Sequence, residues 1–236
     1  MNRTSNLYRG HRFPSSIISH CVWLYFRFPL SFRDVEDMMA ERGVEVSYET
    51  IRHWCDQFGR GYARRIRAGR GTLGDRWHLD EVLLKINGRL QYLWRAVDQD
   101  GTVLDILVQP KRDKVAAARY FRKLLGGLGY APREVVTDQL ASYTAPCAQW
   151  LPDARHIRNK GANNRAENSH PPTRLRERRM RRFKSAAHAQ RFLSTFGMVY
   201  DHFAIARHTP SAENARALRG RRFASWRTIA EVASAG

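Results

Sequence analysis

Three carboxylates stand where their surroundings call for an explanation. The run Trp77–Ile86 reads as a strand, and alternate strand residues share a face, so Asp80 falls in phase with Val82, Leu84 and Ile86. An unpaired buried carboxylate is costly and tends to neutralise. Asp80 therefore needs His78 on the same face, an arginine from elsewhere, or a divalent cation; periodicity does not choose among them. Asp138 closes the short strand Glu134–Thr137. Carboxyl ends of strands are where α/β sheets bind ligands, and an Asp there also commonly caps a turn. Glu167 is one of five acids after Ile157 and lies inside a strongly basic segment, where an acid usually makes a salt bridge.

The rest of the composition narrows the chemistry. Three cysteines, Cys21, Cys55 and Cys147, are far apart and form no CxxC or Cys/His pattern, which points to a reducing cytoplasm rather than a zinc or disulfide framework. The nine histidines form no zinc constellation, and there is no nucleophile elbow. Apolar residues at 43% and charged residues at 27% suit a globular chain with a real core. The richest apolar stretch, Ile17–Phe28, is too short to span a bilayer and is broken by His20 and Arg27, and no signal-peptide pattern precedes it. The net charge of +19 points to a polyanionic partner. It is unevenly spread. Residues 1–74 hold 12 bases and 7 acids, residues 75–157 hold 12 and 10, and residues 158–236 hold 17 and 5. The run Arg174–Lys184 packs seven bases and one acid into eleven residues, and phosphate would relieve that repulsion.

The elements that must position these groups can be read in order. Residues 15–28 form a helix with Ile18, Cys21, Val22 and Tyr25 inward. Ser31 caps a second helix that ends near Gly43, and Ser47 caps a third that ends before Gly59. In the third, Ile51, Trp54, Cys55 and Phe58 make one apolar stripe. The short link between the last two suits a helix-turn-helix, whose second helix would offer Tyr48, Glu49, Arg52 and His53 to DNA. A bundle that binds no DNA has the same pattern. Arginines and glycines over 61–74 read as a basic linker. Asn87-Gly88 is a type I′ hairpin signal between strands 77–86 and 89–97, and a second turn at 98–101 leads to strand 102–108. Helix 113–125, closed by Gly126-Gly127, and strand 134–137 follow. This β-β-β-α-β-α order predicts an α/β, ribonuclease-H-like core with a mixed sheet, preceded by the all-α domain. Pro171-Pro172 should break or restart a helix, leaving Glu167 in a turn ahead of the basic helix. Residues 185–203 form a last helix striped with Phe192, Phe196, Val199, Tyr200 and Phe203.

Taken together, Trp77-His78-Leu79-Asp80-Glu81, Tyr92–Asp98, Val136-Thr137-Asp138, Asn163–His170 and Arg178–Lys184 resemble the DDE transposases of bacterial insertion sequences, in the insertion-sequence-six branch. The resemblance runs in register from the helix-turn-helix to about His208. It implies domains at 1–60 (helix-turn-helix), 61–74 (linker), 75–208 (catalytic core) and 209–236 (basic tail). It implies Asp80, Asp138 and Glu167 as catalytic, metal-holding acids, with Mg²⁺ as cofactor and Mn²⁺ as a substitute. Arg174, seven residues after Glu167, matches the family's basic residue. Arg165, Arg174, Arg178, Arg179, Arg181, Arg182 and Lys184 would hold DNA, with Tyr48, Arg52 and His53 from the helix-turn-helix. The implied activity is strand nicking and strand transfer giving cointegrate-type products. The implied partners are double-stranded DNA, as terminal inverted repeats and target, and further copies of the chain on it, in the cytoplasm and away from membranes. Two alternatives share these residues: a relative that binds element ends without strand transfer, and a ribonuclease-H-type nuclease.

Overall fold

The structure is a computed structural model that describes residues 7–159, 163–205 and 211–232. It divides into two compact units, residues 1–69 with 198–236, and residues 70–197. Among the described residues no helix is long and apolar enough to cross a membrane.

The first unit is helical. It holds α1 (Ser15–Arg27), α2 (Phe32–Ala40) and α3 (Tyr48–Ala68). Ser31 and Asp34 form a reciprocal capping box: the Ser31 hydroxyl accepts from the Asp34 N–H at 3.1 Å, and the Asp34 carboxylate accepts from the Ser31 N–H at 2.7 Å. The Ser47 hydroxyl likewise accepts from the Thr50 N–H at 3.3 Å. Ile51, Trp54, Cys55 and Phe58 are buried on the inner face of α3, as their spacing predicts. Two expectations need correcting. The third helix does not stop before Gly59 but runs on to Ala68, so the irregular link between units shrinks to Gly69–Asp75. A glycine inside a helix costs only about 1 kcal/mol against alanine, and the Tyr62, Ala63 and Ile66 burial that follows outweighs it. The tail is also not an appendage. Residues Ala212–Ile229 form a helix, numbered α9 below, whose Trp226 is buried edge-on to Tyr62 at 5.1 Å. Arg65 donates to the Ile229 carbonyl at 2.7 Å. Residues 209–210 and 233–236 of the expected tail lie outside the described residues.

The second unit is built on a five-stranded sheet: β1 (Arg76–Ile86), β2 (Arg89–Asp98), β3 (Val103–Gln109), β4 (Glu134–Thr137) and β5 (Arg155–Arg158). Their order is β3-β2-β1-β4-β5, with the first three antiparallel and β4 and β5 parallel to β1. This is the α/β, ribonuclease-H-like mixed sheet that the element order predicts. Asn87 and Gly88 both have positive φ, 50° and 77°, as a type I′ turn requires. Helix α4 (Lys114–Leu128) is capped by Asp113, whose carboxylate accepts from the Ala116 N–H at 2.8 Å. It passes through Gly126-Gly127 and ends at Gly129, φ 75°. Trp77, Leu79, Trp94, Ala96 and Leu104 pack against Tyr120, Phe121 and Leu124 on that side of the sheet. Helix α5 (Thr144–Trp150) joins this side with Cys147, after a 3₁₀ turn at Ala141–Tyr143. Helices α6 (Asn164–Asn168), α7 (His170–Arg179) and α8 (Ala186–His202) complete the chain before α9. Sequence periodicity had not marked α5, β5 or α6.

Candidate active site and basic groove

The sheet brings two of the three acids side by side. In the parallel β1–β4 ladder Leu79 is opposite Thr137, so Asp80 and Asp138 each follow the last paired position. Neighbouring strands are about 4.8 Å apart. The third acid arrives from α6. Asn163, 1% exposed, donates its side-chain N–H to the Leu79 carbonyl at 2.9 Å, one residue before Asp80, and Glu167 lies on the following helical turn. The prolines do restart the chain as expected: α6 ends at Asn168 and α7 opens at His170. Glu167 stands on a single helical turn rather than in an irregular one. Pro171 and Pro172 fall in the first turn of α7, where the backbone N–H groups have no intrahelical acceptors, so the helix tolerates them.

The electrostatics of the three acids are linked. Burial first, and then the negative charges of Glu81, Asp138 and Glu167, push the Asp80 carboxyl up to about 7, against the pull of a Glu81 N–H bond at 2.9 Å. Among the described residues no lysine or arginine pairs with Asp80. His170 Nε2 lies 3.7 Å from its Oδ2, beyond hydrogen-bond reach. Burial, together with Arg95 and Arg174, drags His170 down to about 4, so at neutral pH it is an uncharged neighbour and not a counter-ion. Asp138 caps the following turn: its Oδ1 accepts from the Leu140 N–H at 2.9 Å, while its Oδ2 accepts from Arg112 Nη2 at 3.2 Å.

A second set of polar groups adjoins this one. The Glu81 side chain is fully buried, and each of its oxygens is engaged: Tyr143 donates its hydroxyl to Oε2 at 2.7 Å, and Arg112 Nε donates to Oε1. Burial raises the Glu81 carboxyl and the Tyr143 and Arg112 bonds oppose that rise. The sequence reading gave none of these three a role. Glu81 carries a legible signal: it lies in the other apolar phase of β1, with Trp77 and Leu79. Arg112 and Tyr143 carry none, because only the fold brings them there.

The donor set suits a hard cation. It offers oxygens alone, and a divalent ion would relieve both the burial and the negative neighbours that raise Asp80. Among the described residues no three His, Cys, Asp or Glu side chains form a ready-made metal cage. Mg²⁺ needs none, since it keeps several waters and takes only one or two carboxylates.

The basic residues fall into two groups. Arg165, Arg174, Arg178, Arg179, Arg181, Arg182 and Lys184 are exposed. Arg176 is not available: it is buried with its guanidinium over the Phe192 ring at 5.2 Å. Arg174, Arg178, Arg181 and Arg182 line a groove of about 750 Å³ with Lys85, Leu83, Leu90 and Glu177. Arg181 and Arg182 both have positive φ, 52° and 74°, a strained pair just past α7. In the helical unit, Arg52 and His53 are exposed on the outer face of α3 and Tyr48 is half-buried under the Arg33 guanidinium. Arg52 is also bonded to Glu49, at 2.9 Å through Nε.

Residues 74–205 match the family described as a DDE domain. The transposase of the insertion sequence-like element IS431mec of Staphylococcus aureus is 28% identical over 201 residues, covering 83% of this chain and 89% of that protein. The transposase of IS257 in transposon Tn4003, also of Staphylococcus aureus, matches with the same identity and coverage. Among solved structures, a simian T-cell lymphotropic virus intasome in complex with a PP2A regulatory subunit is 19% identical, with a TM-score of 0.47 over 59% of this chain and 53% of that one. The HTLV-2 integrase catalytic core domain in complex with magnesium is 16% identical, with a TM-score of 0.41 over 64% and 99%. With the DDE match spanning more than half of its length, the chain belongs to the DDE-domain family of insertion-sequence transposases.

Proposed function

We propose that this DDE transposase nicks DNA at the ends of its element and joins the freed 3′ ends to target DNA, through Asp80, Asp138 and Glu167. The observation that supports the assignment is geometric: Asp80 and Asp138 follow the last paired position of neighbouring parallel strands, and Asn163, at the head of the helix that carries Glu167, is bonded to the Leu79 carbonyl beside Asp80. The three acids would hold Mg²⁺, with Mn²⁺ as a substitute. Bound there, such ions supply an activated nucleophile and stabilise the leaving oxygen in an in-line displacement at phosphorus. The chain's own residues do the rest. Asp80 is carried by β1, Asp138 by the end of β4 and its turn, and Glu167 by the helix that follows the Asn163 anchor, an arrangement that would set the three acids in advance of substrate. Neutral His170 beside Asp80 adds no positive charge that would compete for it. The exposed arginines of the groove would grip the DNA backbone.

The helical unit, with Tyr48, Arg52 and His53, is our candidate for recognising the terminal inverted repeats, and the α/β unit for catalysis. DNA-bound copies of the chain would act together in the cytoplasm to give cointegrate-type products. The alternative is a catalytically impaired relative that binds the element ends without strand transfer; against it, Pro171 and Pro172 stand in the first turn of α7, where a helix tolerates them. The test is strand transfer by the purified chain on a DNA carrying an element end, with Mg²⁺, against Asp80→Asn, Asp138→Asn and Glu167→Gln. Each variant is expected to bind the end and fail to nick it. Full activity in any of them would remove that acid from the site.

A further inference from the structure

We infer that Glu81, Arg112 and Tyr143 form a clamp that sets the Asp138 carboxylate for cation binding, so that β1 positions both strand-borne acids of the site, Asp80 directly and Asp138 through Arg112. The inference rests on the reading of Asp138 as a cation ligand. The clamp is continuous. Tyr143, on the 3₁₀ turn before α5, donates to Glu81 Oε2 at 2.7 Å. Glu81 Oε1 accepts from Arg112 Nε, and Arg112 Nη2 donates to Asp138 Oδ2 at 3.2 Å. The Leu140 N–H holds the other Asp138 oxygen at 2.9 Å. Both Asp138 oxygens are thus held, by groups from two directions.

The chemistry of each member fits that role. A guanidinium is a rigid planar fork, so fixing it at one edge fixes the other, which an ammonium cannot do. The Glu81 side chain is fully buried and cannot turn away to solvent. Its negative charge offsets that of Arg112, so the clamp reaches Asp138 without placing a net positive charge beside a cation site. A carboxylate oxygen has a second lone pair, so Asp138 Oδ2 can keep Arg112 and still bind an ion. Adjacent residues of a strand point to opposite faces. One dipeptide, Asp80-Glu81, therefore gives one acid to the site and the next to its support. None of the three touches the reacting groups; they are positioning residues.

The test uses the full chain and Mn²⁺ as probe, with free Mn²⁺ read by electron paramagnetic resonance in the absence of DNA, and nicking followed against Mg²⁺ concentration. Arg112→Gln is expected to weaken Mn²⁺ binding about tenfold, the lower end of the range for groups that orient ligands. Nicking by this variant should return near the parent rate at saturating metal, which a general structural defect would not allow. Arg112→Lys should weaken binding several-fold despite keeping the charge. Tyr143→Phe removes one hydroxyl and should weaken it about threefold, a fraction of the usual cost of such a support. Mn²⁺ affinity equal to or tighter than the parent's in a folded Arg112→Gln chain overturns the clamp. If that variant fails to fold, parental affinity in Tyr143→Phe overturns it instead. Asp138→Asn separates the two claims: if it binds Mn²⁺ as well as the parent does, the reading of the site fails and takes the clamp with it.

Discussion

Asp105 is buried and Asp80 largely so, both on the same sheet, and the fold treats them in opposite ways. Asp105, on β3, shares a face with Leu79 and Ala96 and looks toward α4, where Lys123 bonds its carboxylate and the Ile106 N–H donates to it at 2.8 Å. Asp80 looks to the other face. There the residue opposite it on β2 is Arg95, which donates to Thr173 of α7 at 3.0 Å, and the nearby ring of His170 is neutral. An acid with a structural role receives its cation from the chain. Asp80, the acid we propose for the site, is left with negative neighbours and a raised proton affinity. The lesson is that burial of a carboxylate says little until the sign of what surrounds it is known.

The largest effect that tests this contrast is on activity. Removing a cation ligand, the role proposed for Asp80, forfeits several kcal/mol of transition-state stabilisation, so Asp80→Ala should slow strand transfer about a thousandfold, while Asp105→Asn leaves its metal dependence unchanged. The comparison breaks if both variants behave alike. The next effect is on stability. Lys123→Met strands a buried carboxylate, and with Lys123 partly exposed we expect a loss of about 2 kcal/mol, read by denaturant unfolding, below the full cost of a broken buried pair.

A third test uses pH in the absence of metal. A folded Asp80 raised to about 7 binds a proton that the unfolded chain has already lost, so its contribution to stability falls as pH climbs from about 4 to 7. His170, lowered to about 4, has the opposite sign: the unfolded chain binds the extra proton, and its contribution rises from about pH 4 to 6.5. The two oppose each other across that window. Asp80→Asn should unmask the His170 rise, so that melting temperature climbs with pH more steeply than in the parent, and His170→Gln should make it fall. Equal pH profiles in all three chains would show that neither group shapes the stability in this window. The smallest effect sharpens the role of the groove. Arg181→Ala or Arg182→Ala should lower the slope of log affinity for DNA against log salt by about 0.9, one phosphate contact.

How much of this could be read beforehand varied with the range of the forces involved. Local signals were reliable: Asn87-Gly88 gave its hairpin, and Ser31 and Ser47 their helix caps. The apolar phase of β1 drew attention to Asp80 for a sound reason, since a two-residue period depends on the strand alone. β5 escaped because Arg155-His156-Ile157-Arg158 is polar and owes its extended form to pairing with β4. The run of α3 through Gly59 and Gly61, and the docking of Trp226, escaped for the same cause: burial decided them, and burial comes from distant parts of the chain. Arg112 and Tyr143 lie 31 and 62 residues from Glu81, a separation no periodicity spans.

The brevity of β4 carries a last consequence. Its four residues set the register of Asp138, and every step along a strand exchanges one side of the sheet for the other. Deleting a single residue between Val135 and Asp138 would leave the hydrophobic layer able to re-form, yet would turn the acid toward the apolar side.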